Sequence, residues 1–185
     1  MDGFLSLDRL RGADQALQSR TYRLERVCEQ VIEELRELPG PPMQFMNGAP
    51  GALCICDPEL LRLALRNLLQ NARRHSPAHR PVSITLHAKA EGFEIRVRDE
   101  GPGIAPDELP LLFRRYFRGR SALGQPGAGL GLYIVQTVVQ RHGGKVSVHS
   151  TVGEGTEFCV HLPRRPLPAG ISAQLGLDPA RDVGR

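Results

Sequence analysis

Three groups of residues have types and spacings that can do chemistry. The first is a row of amides and cations. Asn67 and Asn71 lie four residues apart, and Arg74 and His75 follow one turn later. On a helix these positions share one side. Asparagine is a mediocre helix former, so two of them inside a leucine-rich stretch need a reason. Amide oxygens are hard, neutral ligands that suit Mg²⁺, which keeps several waters and borrows phosphate oxygens. Arg74 and His75 add donors for those phosphates. A polar helix face bonded to nearby loops accounts for the same residues without a ligand.

The second group is Asp99-Glu100-Gly101-Pro102-Gly103-Ile104 at a strand end. A carboxylate there can accept from the exocyclic amine of adenine, while Gly101 and Gly103 let the backbone approach a flat ring. Guanine carries a carbonyl at the equivalent place, so Asp99 selects against it. An ordinary turn has the same pattern. The third group, Gly127-Ala128-Gly129-Leu130-Gly131-Leu132, opens a helix, where free amides and the positive helix end favour phosphate. No Lys-Ser/Thr follows and no strand directly precedes, so it is neither a Walker loop nor a dinucleotide fingerprint. The three groups fall in one order, each at an element boundary, with an arginine-rich loop over 114–128 between the last two. Their combination points to a purine triphosphate.

The elements that must position them are legible in outline. Leu24, Val27, Cys28, Val31, Ile32 and Leu35 predict an amphipathic helix over 21–38, stopped by Pro39-Gly40-Pro41-Pro42. Strands fit 43–47 and 52–56. Asp57 caps a helix with Pro58 at its first position, running to about residue 74 with Leu61, Leu65, Leu68, Leu69 and Ala72 inward. Strands at 82–90 and 93–99 meet at Glu91-Gly92, and a short helix fits 106–113. A helix over 129–142 closes at Gly143-Gly144, and strands at 145–150 and 156–162 form a hairpin. Short turns between successive strands imply antiparallel pairing. The class is therefore an α/β (α+β) two-layer sandwich, its mixed, mostly antiparallel sheet covered on one face by three helices.

Composition sets the limits. The chain has 185 residues, 41% hydrophobic and 24% charged, as expected of one soluble domain with appendages. A net charge of +4 favours an anionic partner only weakly. Aromatic residues are 5% and do not interleave with the arginines, which argues against nucleic acid. Cys28, Cys54, Cys56 and Cys159 form no C-x-x-C pair and read as buried small hydrophobes in a reducing compartment. No apolar run reaches membrane-spanning length.

Taken together, the residues resemble the ATP-binding domain of bacterial sensor histidine kinases, in the superfamily shared with gyrase, Hsp90 and MutL. Leu68 to Ser76 looks like the N box, preceded by Asn67; Asp99 to Gly103 looks like the G1 box. Phe113 to Arg118 looks like the F box, Gly127 to Leu132 the G2 box, and Gly153 to Thr156 the closing turn. The resemblance covers about residues 22–163 and implies a Bergerat-type fold with a mobile ATP lid. It implies ATP and Mg²⁺ as cofactors, with Asn71 the principal metal ligand and Asn67 assisting. It gives catalytic roles to Asn71, Arg74 and Arg115. The implied nucleotide contacts are Asn67, Asn71, Arg74, His75, Asp99, Gly101, Gly103, Ile104, Arg118, Gly127, Gly129, Leu130, Gly131, Leu132 and Thr156. Glu100 stands where asparagine is commoner and Arg74 where lysine is commoner.

The resemblance also implies an upstream helical hairpin bearing a phosphoacceptor histidine with an acidic neighbour. None of the six histidines here has that setting. Residues 1–18 resemble the tail of the hairpin's second helix, 19–163 the catalytic domain, and 164–185 a disordered Pro-, Gly- and Ala-rich tail. The expected partners are that hairpin and a response regulator, with the chain itself soluble and monomeric. The expected location is cytoplasmic, under a parent anchored in the inner membrane. Such a chain binds ATP and phosphorylates a supplied histidine domain, but does not label itself. The alternatives are another ATPase or a serine kinase of the superfamily, or a non-enzymatic nucleotide sensor.

Overall fold

The computed structural model describes residues 16–122 and 127–167. Its first element differs from expectation. Arg20–Arg23 form a strand, β1, and the helix α1 starts only at Leu24, running Leu24–Arg36 rather than 21–38. Thr21 and Tyr22 are β-prone residues, and β1 finds a partner in β3 (Leu53–Cys56), with Arg20 opposite Cys56 and Arg23 opposite Leu53. The Leu24 amide then donates to the Ala52 carbonyl at 3.1 Å, fixing the strand-to-helix turn. The far end of α1 is closed by a neighbouring helix: Arg73 donates to the Leu35 and Leu38 carbonyls, both at 2.6 Å. Leu35 lies in the last turn of α1, where carbonyls have no i+4 amide within the helix, and Leu38 lies just past its end.

β2 (Met43–Gly48) precedes β3, and α2 (Pro58–His75) follows it. Asp57 caps α2 by accepting from the Leu60 amide at 3.1 Å, with Pro58 in the first turn, as its sequence requires. The helix stops at Ser76, whose extended backbone is what the following Pro77 favours. β4 (Val82–Lys89) and β5 (Gly92–Asp99) come next. The helix expected at 106–113 is only a 3₁₀ turn, Leu109–Leu111, because Pro110 lacks an amide to extend it. α3 (Gly131–Arg141) starts two residues later than expected, and β6 (Lys145–Thr151) and β7 (Gly155–Pro163) complete the fold. The expectations for residues 1–15 and 168–185 lie outside the described residues, whereas 16–19 and 164–167 adopt no helix or strand.

Among the described residues, β1 and β3 make a two-stranded sheet and the other five strands run in the order β2-β4-β5-β7-β6. β2 pairs parallel with β4; the remaining pairs are antiparallel. Strand alternation sends Ile84, Leu86, Ile95, Val97, Phe158 and Val160 inward, where Leu65, Leu68 and Leu69 of α2 and Ile134, Val135 and Val138 of α3 join them in one buried core. The opposite face of the sheet carries Arg96, Glu157, Cys159, His161 and His149. Four free cysteines are buried, as their composition reading has it. Core packing thus fixes α2, the end of β5 and the start of α3 relative to one another.

Candidate nucleotide site

The last inward position of β5 is Asp99, and on the neighbouring strand Thr156 sits directly opposite it. Asp99 is only 3% exposed. Its carboxylate accepts from the Gly101 amide at 2.9 Å and from the Thr156 amide. Burial nevertheless pushes its pKa up, and those two amides and Arg98 only partly offset the desolvation. A buried carboxylate held above its usual range gains from one more donor. Thr156 is held in turn: its hydroxyl is 2.9 Å from that of Ser150, which also donates to the Gly155 carbonyl at 2.9 Å and accepts from the Ile104 amide at 2.9 Å. Ser150 was absent from the sequence reading, because only strand register shows its partner.

Gly103 turns with φ +71, and a Cβ there would lie 2.1 Å from the Thr151 carbonyl oxygen. The loop after β5 therefore has to carry glycine to press against the end of β6. Glu100 points away and pairs with Arg80 at 2.7 Å, so its extra charge is neutralised outside the cleft.

On α2, Asn67 donates its amide nitrogen to the Leu63 carbonyl at 2.7 Å, leaving the side-chain oxygen as an acceptor. That oxygen faces the start of α3, 2.9 Å from where a Cβ on Gly131 would be. Asn71, one turn on, lines the same cleft. Burial and the adjacent Arg74 lower the pKa of His75, so its imidazole is neutral at pH 7. Arg74 is exposed at the cleft mouth beside Gly127.

The lid segment starts and ends at one point. The Tyr116 amide donates to the Gly129 carbonyl at 2.9 Å. Tyr116 has φ 63 and Gly129 φ 67, and a Cβ on Gly129 would lie 2.7 Å from the Phe117 carbonyl oxygen. Buried Glu108 supports this base by accepting from the Arg120 amide at 2.8 Å.

One cleft of about 1080 Å³ is lined by Asn67, Asn71, Arg74, His75, Asp99, Gly103, Ile104 and Thr156. Its other wall holds Arg118, Gly127, Gly129, Leu130, Gly131 and Leu132. Two expected contacts are placed elsewhere. Gly101 sits behind Asp99, where a Cβ would lie 2.6 Å from the His75 carbonyl oxygen. Arg115 lies over the Tyr133 ring at 5.0 Å, drawn there by the cation–π attraction, and does not reach the cleft.

Residues 56–166 match the family described as "Histidine kinase-, DNA gyrase B-, and HSP90-like ATPase". The signal transduction histidine-protein kinase/phosphatase MprB of Mycobacterium avium is 47% identical over 159 residues, covering 83% of this chain and 29% of that protein. The sensor-like histidine kinase SenX3 of Mycobacterium bovis is 34% identical over 163 residues, covering 86% of this chain and 40% of that protein. The chain thus spans about a third of the length of the curated relatives it matches. A solved mycobacterial sensor histidine kinase MprB superposes with TM-score 0.73 at 33% identity, covering 80% of this chain and all of that one. The shared fold, the ordered boxes and these matches agree: this chain belongs to the histidine kinase-, DNA gyrase B- and HSP90-like ATPase family, as an ATP-binding catalytic domain of the histidine-kinase branch.

Proposed function

We propose that the chain binds ATP with Mg²⁺ in this cleft and passes the γ-phosphoryl to a histidine on a separate helical hairpin, for relay to a response regulator. The observation that carries the reading is convergence. Asp99, Asn71 and the glycines opening α3 belong to three distant segments, yet they line one cavity.

Asp99 holds the adenine amine, and its buried, under-donated carboxylate selects adenine over guanine. Thr156 and Gly101 keep that carboxylate in place. The start of α3 offers free amides to the phosphates, and Arg74 adds a charged donor at the mouth. Asn71 and the open oxygen of Asn67 fit Mg²⁺, a hard cation that takes few protein ligands. The ion supplies charge neutralisation of the phosphates. Positioning and electrostatics then suffice for in-line transfer. Arg115 and Tyr116 lie on the outer side of the lid base, where an incoming hairpin helix would meet them. In the parent protein the domain works on the cytoplasmic side of a membrane, as a soluble unit.

The test is phosphoryl transfer. A purified histidine-hairpin domain and γ-labelled ATP are mixed with the chain. Label should appear on the hairpin and fall at least about ten-fold in Asp99→Asn at limiting ATP. Loss of that hydrogen bond to a charged group costs about 1.5–3 kcal/mol, which is roughly ten- to a hundred-fold in affinity. Tight ATP binding with no label on any hairpin would leave a nucleotide sensor, and undiminished ATP affinity in Asp99→Asn would remove the adenine assignment.

A further inference from the structure

The face of the sheet turned away from the helices brings together three different donors. His149 on β6 stands directly opposite Glu157 on β7, and Cys159 follows two residues along β7 on the same face. The donor atoms of His149, Glu157 and Cys159 all lie within 4.8 Å of one another. We propose that these three residues form a site for a thiophilic divalent cation of the zinc type.

The geometry is close to what such an ion requires. Tetrahedral zinc with bonds of about 2.0–2.3 Å sets neighbouring donors about 3.3–3.6 Å apart. The Cys159 thiol already lies 3.6 Å from a Glu157 oxygen, donating to it. Closing the remaining gap takes a rotamer adjustment of His149, which is exposed and free to make it. Donor chemistry agrees. One thiolate, one carboxylate and one neutral imidazole balance a +2 ion, and the soft thiolate and borderline imidazole beside a single hard carboxylate disfavour Mg²⁺ or Ca²⁺. The thiol proton leaves to solvent on binding. Three protein ligands leave a fourth position for water.

Cys159 is also out of character with its neighbours. Across the sheet its row reads Met46, Thr85, Arg96, Cys159, Ser147, so its immediate neighbours on either side are polar and only the far edge strand adds an apolar side chain. The competing cation is Arg96, whose guanidinium lies 3.8 Å from Glu157. Its closer tie is to Glu94 at 2.6 Å, so it can yield Glu157 and stay paired. Strand alternation gives the site a reach beyond itself. His149 and Glu157 each adjoin, in sequence, the residues Ser150 and Thr156 that hold the opposite face beside Asp99. An ion here staples β6 to β7 directly behind the cleft.

The site does not depend on the nucleotide reading. The test uses the whole chain, stripped of metal and free of nucleotide, titrated with Co²⁺ and then Zn²⁺. One equivalent of Co²⁺ should give the thiolate charge-transfer band and tetrahedral visible bands. Zn²⁺ should bleach them and excess Mg²⁺ should not. Cys159→Ser should abolish the charge-transfer band. His149→Ala, at an exposed position that leaves folding intact, should weaken Co²⁺ binding by at least about ten-fold, since even residues behind a ligand typically matter that much. Zn²⁺ should also raise the thermal midpoint of the parent and not of Cys159→Ser. Absence of the thiolate band in the parent, or its survival in Cys159→Ser, overturns the proposal.

Discussion

At the scale of single residues, the chemistry of the cleft follows from what each side chain lacks. Among the described residues nothing bonds to the Asn71 amide, whereas the Asn67 nitrogen is spent on the Leu63 carbonyl. Asn71 is therefore the side chain with a full set of valences for an incoming ion. Asn71→Ala should leave the fold intact and remove the Mg²⁺ dependence of ATP binding. Isothermal titration with ATP, with and without Mg²⁺, measures this; a variant whose affinity still rises on adding Mg²⁺ would move the metal to other ligands. These residues were legible in advance because their types are unusual for their places: asparagines in a leucine helix, a carboxylate at a strand end. Arg73 was not. It sits in the same row of cations, but its partners are carbonyls 35 and 38 residues away, a pairing that only tertiary structure creates. Arg115, expected to meet the γ-phosphate or a partner helix, lies over the Tyr133 ring and outside the cleft, a placement that likewise only tertiary structure shows.

At the scale of elements, helix interiors were readable and their ends were not. The apolar stripes of α1 and α2 are long and periodic, so their existence follows from local sequence. The start of α1 is set by β3, which claims residues 20–23 as a strand partner, and no local signal reports that. The lid shows the same division. Its arginines and glycines mark it as a loop, but its closed base depends on the bond from Tyr116 to Gly129. Gly129→Ala should strain that base, since an L-residue at this φ costs roughly 1–2 kcal/mol and the new Cβ would press on the Phe117 carbonyl. ATP affinity should fall roughly five- to thirty-fold if the cost is taken up by opening the lid. Thermal unfolding should shift much less than for a core substitution. Calorimetry alongside a melting curve checks this, and unchanged affinity would mean that the lid base does not govern the site.

At the scale of the whole molecule, the sequence implied helices over one face of a mostly antiparallel sheet. The strand order and the parallel β2–β4 pair came only with the structure, because β7 inserts between β5 and β6 and no turn records it. Long-range locks of this kind carry the last prediction. His142, just past α3, is 3% exposed and joins the two ends of the fold's helical layer. Its Nε2 accepts from the Asp57 amide at the start of α2 at 3.0 Å, and its Nδ1–H donates to the Val138 carbonyl at 2.7 Å. The first bond needs the neutral ring, because a protonated Nε2 can no longer accept; the Nδ1–H bond would survive protonation. Burial is the main cause that lowers its pKa, so the folded chain resists protonating it. The unfolded chain protonates it below a pH of about 6.5. Protons then bind the unfolded state preferentially, and stability, complete above that pH, must fall as the pH drops through it. The slope is at most about 1.4 kcal/mol per pH unit for this residue, and His75, shifted the same way, adds to it. His142→Gln keeps a side chain that cannot titrate. Denaturant unfolding of the parent and this variant between neutral and mildly acid pH should show a lower stability at neutral pH and a flatter acid slope in the variant. Parallel curves would place the acid sensitivity elsewhere and leave His142 as packing alone.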